Sequence, residues 1–169
     1  AAALSTFRNA VTLLGEHDRL IFNHNEALLY DWILQHDPEL FNVIKKLVNR
    51  GRWAISGGWY LQPDVNLPGT ESLIRHIRNG RGFFKRNFNV IPRVAYNFDS
   101  FGHSGGLPQI LVKTGYRMYI HMRPQADQLA LPDRKVDASL QDLGLVAIGQ
   151  SLDKVVRICQ PGGRLHLGP

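Results

Sequence analysis

The chain has 169 residues, of which 44% are hydrophobic and 20% are charged, so it is long enough for one globular domain and its composition excludes a disordered chain. The lone Cys159 cannot form a disulfide or a thiolate metal cluster within the chain, and no apolar run is long enough to predict a membrane-spanning helix. The net charge of +6 admits an anionic partner, but the basic residues are scattered, and no nucleic-acid partner is predicted.

The first half of the chain alternates predicted helices with short predicted strands. An apolar stripe predicts an amphipathic helix over residues 4–15, a strand follows in residues 19–23, and helical spacing returns at Glu26. Asp37 is predicted to cap the next helix, because it precedes a proline and a new apolar stripe. Residues 53–55 form the next predicted strand.

The second half continues this alternation. Thr70 opens a long predicted helix, followed by a strand over residues 93–98, a helix over 107–114 and a strand over 116–120. The apolar residues predicted on the inner side of the long helix are Leu73, Ile74, Ile77, Phe84 and Phe88. Its basic residues, predicted to form a solvated face, are Arg75, Arg78, Arg81, Lys85 and Arg86. Strand and helix alternation over residues 4–123 predicts parallel βαβ units of an α/β fold.

Parallel units set successive strand ends side by side, so three loops are predicted to share one rim: residues 57–68, 99–106 and 121–124. The loops at the carboxyl ends of strands are where α/β domains assemble their sites, which makes Asp99 a candidate for catalysis. The alternative is that Asp99 only caps the helix that follows. The spacing of the residues leaves both interpretations open.

Several short blocks of sequence carry a resemblance to a known family. In chain order they are FNHNEALLY (22–30), DPELF (37–41), GRW (51–53) with GGW (57–59), DVNLP (64–68) with ESL (71–73) and Arg75, DSFGHS (99–104) and LPQIL (107–111). This ordered set resembles glycoside hydrolase family 38, the retaining α-mannosidases, over about residues 4–133. It looks most like the bacterial and cytosolic branch.

The resemblance implies part of an α/β-barrel, incomplete here, in which parallel strands alternate with helices. Residues 1–133 would be the central part of the N-terminal catalytic domain, and residues 134–169 a poorly matching tail, truncated or irregular. The parent protein is expected to be a cytoplasmic enzyme that hydrolyses terminal α-mannosides with retention. The chain starts without Met, and we expect it to be an inactive fragment. No oligomeric state is predicted.

The resemblance also assigns roles to individual residues. Asp99 matches the catalytic nucleophile, which is also a ligand of a divalent metal, usually zinc. Phe101 matches an aromatic residue that packs against the sugar, Arg123 matches an arginine that orients nucleophile and substrate, and Asp64 and Asn66 lie in a loop near the sugar. A retaining glycosidase needs a second carboxylate to protonate the leaving oxygen, about 5 to 5.5 Å from the first. That general acid and the remaining metal ligands are expected outside this chain.

Other chemistry-bearing residues have simpler interpretations. His103 follows Asp99 closely, but we expect it to be a hydrogen-bonded structural histidine rather than a metal ligand. His24 is likewise expected to be a satisfied polar residue at a strand end. Trp53 and Trp59 are expected in the core rather than on a sugar-binding surface.

Two other functions compete with the glycosidase. One is a non-catalytic carbohydrate-binding module that stacks sugars on Trp59, Tyr60 and Phe101. The other is a different metal-dependent hydrolase on a related barrel, which would need its own histidine pair. No H-x-x-x-H spacing occurs in the chain, and this disfavours the second rival.

Overall fold

The computed structural model describes residues 2–98, 100, 101, 104–121 and 147–148. The helices of this part are α1 (Ala2–Glu16), α2 (Ala27–His36), α3 (Pro38–Asn49), α4 (Thr70–Phe88) and α5 (Leu107–Lys113). Its strands are β1 (Phe22–His24), β2 (Trp53–Ile55), β3 (Val94–Asn97), β4 (Met118–His121) and β5 (Ala147–Ile148). No helix among these residues is long and apolar enough to cross a membrane.

The chain divides into two compact units. The first unit comprises Ala1–Gln62 and His76–Pro92, and the second comprises Pro63–Arg75 and the chain from Arg93 onward. Each has its own piece of parallel sheet, with β1 beside β2 in the first unit and the order β3-β4-β5 in the second. The predicted parallel α/β arrangement is therefore confirmed, whereas closure into a barrel and the division at residue 133 stay predictions.

The first unit is built around an aromatic core. Phe7 of α1, Tyr30 of α2 and Trp53 of β2 are each 1% exposed or less. The Trp53 indole Nε1 donates a hydrogen bond of 2.8 Å to the Tyr30 hydroxyl, and the Phe7 ring packs against both side chains at 5.1 to 5.3 Å between centroids. Trp59 is fully buried, so the prediction that both tryptophans belong to the core is confirmed.

Helix α3 begins as the sequence predicts. The Asp37 side chain accepts a hydrogen bond of 3.0 Å from the Leu40 backbone N–H, and Pro38 stands in the first turn. The carboxylate also pairs with Arg8 of α1 at 2.7 Å. These contacts lower the pKa of Asp37, the hydrogen bond from Leu40 first and the Arg8 guanidinium second.

The first predicted strand was misplaced. β1 starts at Phe22 rather than at residue 19, because the Phe22 N–H is the first to bond across to β2, at the Arg52 carbonyl. Ile21 is 60% exposed. The Arg52 guanidinium donates to the Leu20 and Leu14 carbonyls, each at 2.9 Å, and so holds the preceding residues as a connection rather than a strand.

Three smaller predictions were also wrong. β4 starts at Met118 rather than at residue 116, since the Tyr116 N–H instead closes the end of α5 by bonding the Leu111 carbonyl. Ile74 of α4 is 38% exposed, although the other residues predicted on the inner side of that helix are buried. Arg81, predicted on the solvated face of α4, is half-buried, whereas the other four basic residues of that face are exposed: Arg75, Arg78, Lys85 and Arg86.

The second unit places two strand ends on one edge. β3 and β4 are parallel, with Val94 opposite Met118 and Asn97 opposite His121. The buried residues Ala95 and Leu111, on β3 and α5, belong to its core. Because the two strands are parallel and Asn97 is opposite His121, both strands end at the same side of the sheet.

Candidate active site

The end of β3 carries a fully buried amide. Asn97 is 0% exposed, and its Nδ2 donates a hydrogen bond of 2.8 Å to the Pro63 carbonyl. Since a carbonyl can only accept, this contact fixes which end of the amide faces Pro63. The other end, Oδ1, is buried and has no hydrogen-bond partner among the residues that the structure describes, and the same holds for the Ser100 hydroxyl three residues later.

Residues 63–68 form a tight turn in the same unit. The Asp64 backbone carbonyl accepts from the Leu67 N–H at 3.1 Å, and the Asp64 carboxylate lies 3.4 Å from the Asn66 N–H. Val65 is buried and anchors the turn, whereas the Asn66 side chain is exposed. Asp64 is therefore held on a short loop with a fixed backbone, partly accessible to solvent.

A second amide joins this turn to the segment that follows β3. The Asn66 Nδ2 donates a hydrogen bond of 2.9 Å to the Phe101 carbonyl. The Phe101 ring itself is 78% exposed, far more than is usual for a large aromatic side chain. An exposed ring at a strand end offers a flat apolar face to a ligand.

The first unit has a separate strand-end cluster. His24 ends β1 with its Nδ1 2.6 Å from the Asn25 carbonyl, and burial lowers the pKa of His24. Glu26 follows in a left-handed backbone conformation (φ 57°), and its Oε1 accepts from the Gln62 N–H at 3.1 Å. The expectation of a satisfied structural histidine is confirmed for His24.

Residues 1–135 match the N-terminal domain of the glycosyl hydrolases of family 38. The chain belongs to glycoside hydrolase family 38. It is 30% identical over 115 residues to alpha-mannosidase G of Dictyostelium discoideum and 30% identical over 111 residues to human alpha-mannosidase 2C1. These matches cover 68% and 66% of the chain but only 11% of each relative, so the chain spans about a tenth of their length.

Solved structures agree with this assignment. The family 38 chain resembles an alpha-mannosidase from Enterococcus faecalis with a TM-score of 0.64 and 25% identity, over 73% of the chain and 14% of that protein. It also resembles a 4-alpha-glucanotransferase from Thermococcus litoralis with a TM-score of 0.60. The identity in that case is 14%, over 85% of the chain and 29% of the other protein, so this likeness concerns the fold alone.

The structure brings some of the predicted site residues of the family 38 chain together. The turn that carries Asp64 and the segment that carries Phe101 lie side by side, joined by Asn66. Asp99, Arg123 and His103 lie outside the described residues, so their predicted roles stay predictions. The alternative role of Asp99 as a helix cap is wrong, because α5 begins at Leu107 and its N-cap residue is Gly106.

The metal site that the resemblance implies is not built by the described residues of this family 38 chain. Among them, no group of three His, Cys, Asp or Glu side chains could hold a metal ion. The one ligand that the resemblance assigns within the chain is Asp99. A zinc site would therefore need Asp99 together with ligands from outside the described part.

Sequence reasoning missed Asn97. Its signal was a polar residue that directly follows the apolar run Val94–Tyr96, at a position where a strand ends. Such a residue is either exposed or buried with a hydrogen-bond partner, and the pattern alone cannot distinguish the two. The partner is a carbonyl 34 residues away in sequence.

Proposed function

We propose that this family 38 chain forms part of the catalytic domain of a retaining α-mannosidase that cleaves terminal α-mannosides. The observation that carries the proposal is family membership over residues 1–135, and the relatives named above are α-mannosidases. The exposed Phe101 ring supports a carbohydrate ligand, because an aromatic face suits the apolar C–H surface of a pyranose.

In this proposal Asp99 attacks the anomeric carbon of the mannoside and forms a covalent glycosyl-enzyme, which water then hydrolyses. Arg123 keeps the Asp99 carboxylate ionised, since a neighbouring positive charge favours the charged form. Phe101 packs against the sugar, and Asp64 accepts hydrogen bonds from its hydroxyl groups. The acid that protonates the leaving oxygen is not assigned to any residue of this chain.

We further propose that a divalent metal, zinc by the resemblance, would supply Lewis-acid chemistry at the sugar hydroxyls when it is bound. Its ligands beyond Asp99 would come from other parts of the parent protein. By the same reasoning the 169-residue chain alone should be inactive, because it holds one of the two catalytic carboxylates. Barrel closure and a cytoplasmic location are part of the proposal and follow from the resemblance.

The decisive experiment compares two aspartate variants of the parent protein on an aryl α-mannoside. Asp99→Asn keeps the size of the side chain but removes the nucleophile, and kcat should fall by about 10³-fold or more. Asp18→Asn is the matched control, since that carboxylate is fully exposed on the connection after α1, and it should leave kcat unchanged. Equal activity of the two variants would refute the nucleophile assignment.

The stereochemistry and the metal are tested separately. Proton NMR of the first product should show the α-anomer, whereas a β-anomer would exclude retention. Removing the metal with a chelator should abolish activity, and adding zinc should restore it. Full activity after complete removal of metal would contradict the metal proposal but leave the glycosidase proposal intact.

The rival carbohydrate-binding module loses one of its three stacking residues, because Trp59 is fully buried. It also makes a different prediction for Asp99→Asn. A binding module has no hydrolysis to lose and would retain its affinity for sugar, whereas the enzyme loses turnover.

A further inference from the structure

Two side-chain amides of the second unit tie the same pair of chain segments together. Asn97 Nδ2 holds the Pro63 carbonyl from the end of β3, and Asn66 Nδ2 holds the Phe101 carbonyl from residues 63–68. The two bonds run in opposite directions along the chain, so each segment donates once and accepts once. We call these two hydrogen bonds the amide clamp.

We propose that Asn66 and Asn97 are positioning residues, whose amide clamp sets where the Phe101 ring and the Asp64 carboxylate stand relative to each other. This role rests on the proposed function, because it supposes that both side chains face the sugar. Neither asparagine needs to touch the substrate. Asn97 acts through the carbonyl of Pro63, the neighbour of Asp64, and Asn66 acts through the carbonyl of Phe101 itself.

The two halves of the amide clamp differ in burial, and this assigns them different tasks. The Asn97 hydrogen bond is fully buried, so water does not compete with it and its geometry is rigid. It anchors the start of the turn at Pro63. The Asn66 bond is exposed, and it fixes the backbone of Phe101, whose ring has little other support because it is 78% exposed.

The buried amide of Asn97 has a clear task at its Nδ2 end, which holds the Pro63 carbonyl. An apolar side chain at this position would avoid burying an amide but would leave the Pro63 carbonyl without its donor, whereas Asn97 supplies that donor and has no partner for its Oδ1 among the described residues. A buried unpaired acceptor is unfavourable for stability. The presence of an amide at residue 97 in spite of this cost is explained if its Nδ2 is needed at the Pro63 carbonyl.

The first test measures amide hydrogen exchange in the 169-residue chain. Asn66→Ala removes the exposed half of the amide clamp without disturbing the core, and exchange at residues 64–69 should accelerate by about five-fold, the effect of one net hydrogen bond. Asn87→Ala is the matched control, since the Asn87 Nδ2 donates a similar bond of 3.0 Å to the Phe83 carbonyl within α4. It should leave exchange at residues 64–69 unchanged. Equal exchange in wild type and Asn66→Ala would overturn the proposal.

A second variant tests the buried half. Asn97→Asp replaces the donor by an oxygen that faces the Pro63 carbonyl, and exchange at residues 64–69 should accelerate by more than in Asn66→Ala. Because this change also buries a carboxylate, the variant could fail to fold, and in that case Asn66→Ala alone decides. A folded Asn97→Asp protein with unchanged exchange would overturn the proposal.

The functional test is a double-mutant cycle in the parent protein with an aryl α-mannoside. Asn66→Ala should lower kcat/KM by about five- to ten-fold. In a Phe101→Ala background, which lacks the ring, the same change should have much less effect, because the two residues act as one unit. Additive effects would show that Asn66 does not act through Phe101. If the unmodified parent cleaves no α-mannoside, the proposed function is wrong, and the exchange data still decide whether the amide clamp exists.

Discussion

Replacing Gly80 by alanine should destabilise the first unit, although alanine is the better helix former. Gly80 lies inside α4 and packs against the backbone of Gly58, Trp59 and Tyr60. A Cβ atom there would stand 2.3 Å from the Gly58 oxygen, 2.4 Å from the Trp59 carbonyl carbon and 2.5 Å from the Tyr60 nitrogen. These are main-chain atoms and cannot rotate away, so α4 and residues 58–60 must move apart.

The size of the effect follows from that separation. To place the new Cβ at an ordinary contact distance of about 3.4 Å from these main-chain atoms, α4 must move by about 1 Å. The Tyr60 N–H donates a 3.0 Å bond to the His76 carbonyl of α4, and such a movement would break it. Overpacking costs about 1 to 3 kcal/mol and the lost hydrogen bond about 1 kcal/mol, against about 1 kcal/mol gained from helix propensity. The net loss should be about 1 to 3 kcal/mol.

Gly82→Ala supplies the control, because it changes the same residue type in the same helix. Its Cβ would meet only the end of the flexible Arg86 side chain, at 3.2 Å, so the propensity gain should dominate and stability should rise by up to about 1 kcal/mol. Urea unfolding measures the difference in the free energy of unfolding between the two variants, provided that their m-values are equal. A Gly80→Ala protein as stable as Gly82→Ala would refute this account of the helix contact.

Three further predictions concern the core, pH and the proposed site. Tyr30→Phe should lower the free energy of unfolding by about 1 to 3 kcal/mol in urea titrations, because it leaves the buried Trp53 indole N–H without its acceptor, and it should cost less in a Trp53→Phe background. Burial lowers the pKa of His24, so as the pH falls the unfolded chain binds a proton at this residue before the folded chain does. The Tm should therefore fall as the pH drops below about 6.5, and it should fall less in His24→Gln. Identical Tm profiles for the two proteins would contradict this. Phe101→Ala should leave Tm unchanged, because the ring is 78% exposed, but should raise KM for an aryl α-mannoside in the parent protein.

The features that sequence predicted well are those set by local chemistry. The helices follow from apolar residues spaced at 3.6, and the start of α3 follows from Asp37 and its proline. The strands β2 and β3 follow from short apolar runs bounded by polar residues or glycine. In each case the sequence pattern that predicts the element lies within a few consecutive residues, even where the strand pairs with a distant one.

The features that sequence missed depend on contacts between distant segments. Residues 20–21 have the composition of a strand, but the Arg52 guanidinium, more than thirty positions later, holds the Leu20 carbonyl. Nothing in the local pattern of Asn66 indicates that its partner is the Phe101 carbonyl, 35 residues away. The residues of a segment favour helix, strand or an irregular connection to different degrees, and contacts with distant segments decide which of these forms.

Two polar side chains close to the end of β3, Asn97 and Ser100, are buried. Within the described part of the chain, Asn97 Oδ1 and the Ser100 hydroxyl have no hydrogen-bond partner, whereas Asn97 Nδ2 holds the Pro63 carbonyl. An apolar residue in place of Asn97 would remove the donor that holds Pro63, the residue just before Asp64. By this reasoning Asn97→Leu should lower kcat/KM of the parent protein on an aryl α-mannoside under conditions in which the variant is fully folded, and a folded variant with unchanged kcat/KM would count against it.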